Sequence, residues 1–202
     1  MEIFSHLFDN EYRVRILRLF LFNQNSAFDS SAIAERIQAP PRLVAKELGM
    51  LRAIGMVKDR TIVKTIKSGK KEVRKRARGW IVDETFPYLR ELAGLLTNTV
   101  PVKNGRMIEK INQVGKIKLI LVAGIFTQDP DSRVDLLIVG DQLKRKTLER
   151  IMKDIEADMG AELRYAAFET DDFKYRRSVY DKLIKDIFDF PHHKIVDKLG
   201  IQ

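Results

Sequence analysis

There is no cysteine in the 202-residue chain. That excludes a disulfide framework, a thiolate metal site and a cysteine nucleophile. Histidine is scarce: His6, His192 and His193 are the whole supply. They do not make an imidazole zinc site, because adjacent His192 and His193 point in different directions and lack a third ligand. Long apolar runs are missing too, and stretches such as Leu119–Gly124 fall far short of a membrane span. The opening residues MEIFSHLFDNEYRVR have no basic start leading into an apolar core, so they do not read as a signal peptide and the expected address is the cytoplasm. Eleven Gly and six Pro are too few for a fibrous or low-complexity chain. What is present, 45% hydrophobic and 32% charged residues, is the composition of a folded chain with one large or two small domains.

Charge is unevenly placed. Residues 1–54 carry seven Lys and Arg against six Asp and Glu, and residues 79–202 carry twenty of each. Residues 55–78 carry ten against two, which is nearly all of the chain's net +9. A cationic surplus concentrated in 24 residues points to an anionic partner, nucleic acid first.

The periodicity predicts a buried helix over 10–23, capped by Asp9 or Asn10, and a short helix over 29–37, capped by Ser30 or Ser31. Pro40-Pro41 opens a third helix with Leu43, Val44, Leu48, Leu51 and Ile54 as its buried stripe and Gly55 as its stop. Two strand-like runs, 56–67 and 72–83, flank the turn signal Ser68-Gly69-Lys70-Lys71. A Leu-rich helix follows over 86–98, suited to a subunit or interdomain contact or to packing on the first helix. The stretch 97–105, with Pro101 and Gly105, reads as a boundary. Beyond it the expected order is helix 106–114, strand 117–123, strand 134–139, helix 143–159 closed by Gly160, strand 162–168, helix 173–188 and a short element over 194–199. The predicted fold class is α/β (α+β), divided into residues 1–83, a linker helix over 84–104, and residues 105–202.

Helices followed by a two-stranded hairpin, with the phrase Leu51-Arg-Ala-Ile-Gly55-Met-Val57 closing the third helix, resemble an ArsR-type or MarR-type winged helix-turn-helix. The resemblance spans residues 8–83 and implies binding of double-stranded DNA, with the third helix as the reading helix. A helix in the major groove reads base edges with its outer residues. By elimination from the buried stripe, those are Pro41, Arg42, Ala45, Lys46, Gly49 and Arg52. Lys64, Lys67, Lys70 and Lys71 approach the hairpin tip on one side, while Arg74, Arg76 and Arg78 share a face of the returning strand. If roughly six to eight of these cations neutralise phosphates, affinity falls on the order of a thousandfold between low and moderate salt. Trp80 either stacks on a base or packs on the core.

The segment Ile117–Gly140, IKLILVAGIFTQDPDSRVDLLIVG, is similar to a minimal nucleotidyltransferase fold of the polymerase-beta type. In that family two carboxylates one residue apart hold divalent metals on a nucleoside triphosphate. Here Gly124 and Asp135 remain, Ile125 replaces the serine of the Gly-Ser pair, Arg133 replaces the first aspartate, and the third strand offers Arg164 and Ala166 in place of an acid. The expectation is a non-catalytic scaffold without cofactor or metal, used for dimerisation or for sensing a nucleotide or small-molecule effector through Gly124, Arg133 and Asp135. Arg133 is expected to pair with Asp135 or a phosphate. Further along, Asp171 and Asp172 suit a helix start, and Arg176 and Arg177 reach either phosphate or solvent.

The function expected is a DNA-binding transcriptional regulator acting as a homodimer on a palindromic site. RNA or a ribosomal partner is the alternative for the basic segment. A metal-dependent nucleotidyltransferase and an antitoxin-like binding protein are the alternatives for the chain.

Overall fold

The structure is a computed structural model. It describes residues 3–68, 71–97, 105–129 and 131–201, and the side chains of all of these except 66–68, 71 and 72. The elements fall into two units, Met1–Thr99 with Glu156–Ala161, and Val100–Ile155 with Glu162–Gln202. Each mixes helices with a small sheet, and no described helix is long and apolar enough to cross a membrane.

The first unit runs α1 (Ile3–Leu7), α2 (Glu11–Phe22), α3 (Ser30–Arg36), α4 (Pro41–Ala53), β1 (Val57–Ser68), β2 (Lys71–Val82) and α5 (Leu89–Thr97). The short α1 has no buried residue and carries no strong sequence signal. Asn10 caps α2 by accepting from the Tyr12 amide. Val14, Ile16, Leu17, Leu19, Phe20 and Leu21 are all buried, so α2 is the central helix of the unit. Arg18 is buried with them, and its Nε donates to the Leu96 carbonyl of α5 at 3.1 Å.

The cap of α3 is Asp29, one residue before the serines expected to serve. Its Oδ1 accepts from the Ser31 and Ala32 amides, the geometry open to a residue just outside the first turn. At its other end Gln38 takes the left-handed conformation (φ 53°). Its amide donates to the Glu35 carbonyl and that of Ala39 to Ala34, closing a Schellman turn without glycine. Helix α4 stops the same way, with Gly55 at φ 78° and the Met56 amide bonded to the Leu51 carbonyl. This turn explains the Leu51–Gly55–Met56 spacing: Leu51 and Met56 meet in the core across it. It also corrects the expected stripe. Ile54 is the cap residue, on the outer side of the turn, and is 54% exposed. Glu47 is buried in the stripe instead.

Strands β1 and β2 pair antiparallel without a register shift, from Val57 opposite Val82 to Ser68 opposite Lys71. The turn expected at Gly69-Lys70 lies outside the described residues. Phe28 exchanges two backbone hydrogen bonds with Trp80, adding a single bridge to the far edge of β2. Trp80 is buried and donates from its indole to Ser30 Oγ, so it packs on the core.

The second unit contains α6 (Gly105–Asn112), β3 (Lys116–Val122), β4 (Leu136–Asp141), α7 (Arg145–Met159) as far as Ile155, β5 (Tyr165–Glu169), α8 (Thr170–Ser178), α9 (Lys182–Asp189) and β6 (His193–Asp197). Its sheet has the order β5-β4-β3-β6, with β3 antiparallel to both neighbours and β4 parallel to β5. From Leu119 on, β3 is an unbroken apolar run, as β4 is up to Gly140, and both stretches are buried on both faces. The single helix expected over 173–188 is two helices. Tyr180, at φ 55°, ends α8 in another Schellman turn, and the Asp181 side chain caps α9 through the Leu183 and Ile184 amides. An aspartate that can collect two free amides favours starting a new helix over continuing the old one.

Candidate functional site

In the first unit, Val44, Glu47, Leu48 and Leu51 form the inner face of α4. The helix therefore presents Pro41, Arg42, Ala45, Lys46, Gly49 and Arg52 outward, and all six are exposed as expected. Its angle is set by the buried polar residue that sequence reasoning passed over. Glu47 accepts from Arg13 Nε at 2.7 Å and from Asn10 Nδ2 at 2.9 Å, which fastens α4 to the start of α2. The hydrogen bond to Glu47 raises the Arg13 guanidinium's proton affinity still further, against the opposing effect of burial. The signal in the sequence was a carboxylate on the apolar stripe, three residues after Val44 and four before Leu51.

On the hairpin, residues directly opposite each other share a face. Thr61 faces Arg78, Val63 faces Arg76 and Thr65 faces Arg74. All six are exposed, Val63 by 64%, so the three arginines make one ladder with a valine among them. Lys64 belongs to the opposite face, with Ile62 and Ala77, which are half-buried. Its ammonium pairs with Asp29 and donates to Ser31 Oγ. Lys64 therefore stands apart from the arginine ladder, because strand alternation turns it toward α3. The Lys67 and Lys71 side chains, and Lys70 altogether, lie outside the described residues. Burial pushes the Asp29 carboxyl up, but the Lys64 ammonium, the Ser31 hydroxyl and the Ala32 amide outweigh it and hold the group down at about 2.

A second residue missed from sequence joins the two surfaces. Asp59, on the ladder face of β1, accepts Arg52 of α4 on Oδ2 at 3.0 Å and Arg78 of β2 on Oδ1. Arg78 also lies over the Trp80 ring, 4.5 Å from its centroid. The outer face of α4 thus runs into the arginine ladder as one surface. Arg42, Lys46, Arg74 and Arg76 are exposed on it and form no ion pair among the described residues. This arrangement sets exposed cations on the outer side of α4 beside those of the ladder, a surface whose charge suits a polyanion.

In the second unit, Gly124 and Asp135 do come together. Asp135 is 2% exposed and its carboxylate accepts four N–H groups. Oδ1 takes the Ile125 amide and Arg164 Nη2, and Oδ2 takes the Arg164 amide and Nε. Gly124 is required beside it: its φ is 53°, and a Cβ there would fall 2.1 Å from Asp135 Oδ1. The expected Arg133–Asp135 pair does not form. Arg133 reaches Asp186 of α9 at 3.0 Å, while Arg164, standing where the third acid would be, takes Asp135. These residues do not fit a divalent ion, because the one carboxylate has all its acceptor positions filled and its neighbour is a cation. Among the described residues no cluster of three or more acids or histidines could hold a metal.

No protein-family model, no curated protein and no solved structure matches the chain.

Proposed function

We propose that the chain is a transcriptional regulator of the winged helix-turn-helix kind that binds double-stranded DNA. The observation that carries this reading is the continuous cationic face on which the outer side of α4 meets the Arg74–Arg76–Arg78 ladder at Asp59. In this reading α4 enters the major groove, where Arg42 and Lys46, one turn apart, reach base edges. The ladder follows the phosphates, and Val63 makes the apolar contact between them. Two copies on a palindromic site double a contact that is small for one helix. The second unit serves as a non-catalytic, nucleotidyltransferase-like module for pairing copies or sensing an effector. Support for its lack of turnover is the consumption of Asp135 by Arg164 and backbone amides.

The test is selection of duplexes from a randomised library by the purified chain at two salt concentrations. Enrichment of one sequence family at the higher salt is the expected result. Absence of duplex binding at low salt, or preference for RNA over the same DNA sequence, overturns the reading.

A further inference from the structure

We infer that the groove between α8 and α9 binds an amphipathic carboxylate, with its hydrocarbon part against the floor and its carboxylate at the rim. The groove encloses about 590 Å³, within the usual size of small-molecule sites. Its floor is apolar: Phe173, Ile184 and Ile201 are buried there, and Phe188 and Leu199 half-buried. Its rim carries Lys174 and Arg177 from α8 and Lys185 from α9. Arg177 lies 5.9 Å from the centroid of the Phe188 ring, which sets its guanidinium against the groove wall.

Charge decides the class of occupant. Two carboxylates also line the groove, Asp181 and Asp189. Asp181 is already used, since it accepts the Leu183 and Ile184 amides and pairs with Arg176. Lys174 and Lys185 are exposed and form no ion pair among the described residues. With Asp181 committed, the exposed carboxylate of Asp189 is outnumbered by the rim cations, so a neutral ligand gains nothing from them and a cationic one is repelled. A carboxylate on a hydrocarbon body satisfies both the rim and the floor. Nothing here depends on nucleic-acid binding, which belongs to the other unit.

The experiment is calorimetric titration of the full chain with decanoate below its micelle concentration, beside decyltrimethylammonium, which has the same tail and the opposite charge. Decanoate is expected to bind once per chain, at least about tenfold tighter than the ammonium compound. The K174E/K185E chain should lose that preference while still binding the tail. S178W, which places an indole at the exposed rim, should abolish binding of both. No saturable decanoate binding, equal binding of the two compounds, an unchanged preference in K174E/K185E or undiminished binding by S178W would each overturn the proposal.

Discussion

The Arg13 guanidinium of α2 donates to the buried Glu47 carboxylate of α4 at 2.7 Å, and this pair fastens α4 to α2. Glu47 is 2% exposed, so removing its partner strands a charge away from water. Glu47→Ala leaves Arg13, whose side chain is 30% exposed, and Asn10 without their shared acceptor and is expected to cost about 1–3 kcal/mol of stability. Glu47→Gln, which keeps an acceptor oxygen, should cost less. Urea unfolding of both variants measures the difference. Equal losses would mean that the charge, which both variants remove, and not the volume or the acceptor oxygen, is what matters at this position.

The arginine ladder has its own signature in salt. Arg76→Ala is expected to reduce the slope of log affinity against log salt by about 1 and to weaken all duplex sequences alike, as a phosphate contact does. Arg42→Ala on α4 should instead relax sequence preference, costing about 1–3 kcal/mol on the selected site alone. Anisotropy titrations on selected and scrambled duplexes separate the two.

Asp29 makes stability depend on acid. Its pKa falls from the ordinary 3.8 to about 2 in the folded chain. A depressed carboxyl contributes stability that is complete above its unfolded value and disappears as pH falls through its folded value. The contribution near neutrality is about 2 kcal/mol, lost progressively between about pH 5 and pH 1. Asp29→Asn keeps the cap but not the charge. It should therefore be clearly less stable than the natural chain at pH 7 and nearly equal to it at about pH 2, as followed by urea melts across that range.

Gln38 occupies a left-handed position that costs a side-chain-bearing residue about 1 kcal/mol. Gln38→Gly is expected to stabilise the chain by up to about that amount, since the Schellman bonds at the end of α3 survive the change. Thermal unfolding that is unchanged or lower would show that the Gln38 side chain contributes contacts of its own.

Gly124→Ala should act in the opposite direction. Its positive φ and the approach of Asp135 Oδ1 leave no room for a methyl group. A loss of at least about 2 kcal/mol, followed by far-ultraviolet circular dichroism in denaturant, is the expected outcome.

Most helices and strands were legible because their signals are local. The apolar period of α2, the Leu51–Gly55–Met56 turn of α4 and the unbroken runs of β3 and β4 each announce themselves within a few residues. So does the outer face of α4, which follows from its inner face by subtraction. The polar partners were not legible. Glu47 and Arg13 are 34 residues apart, and Asp135 and Arg164 are 29 apart, so only the fold brings each pair together. Arg133, two residues from Asp135, was the obvious local candidate, but alternate residues near a strand do not have to share a partner. The break at Tyr180–Asp181 was hidden because apolar period continues across it, and only the capping geometry separates α8 from α9.

Asp59 gives the cationic face an internal rival. A phosphate that engaged Arg52 or Arg78 would share the guanidinium with a carboxylate already seated there, or displace it. A loose, diffusely charged polymer offers little in exchange. Under the proposed function, a rigid duplex whose groove also accepted α4 would recover the loss through many simultaneous contacts. Screening by a built-in competitor would raise discrimination between fitting and non-fitting polyanions while lowering adhesion to both.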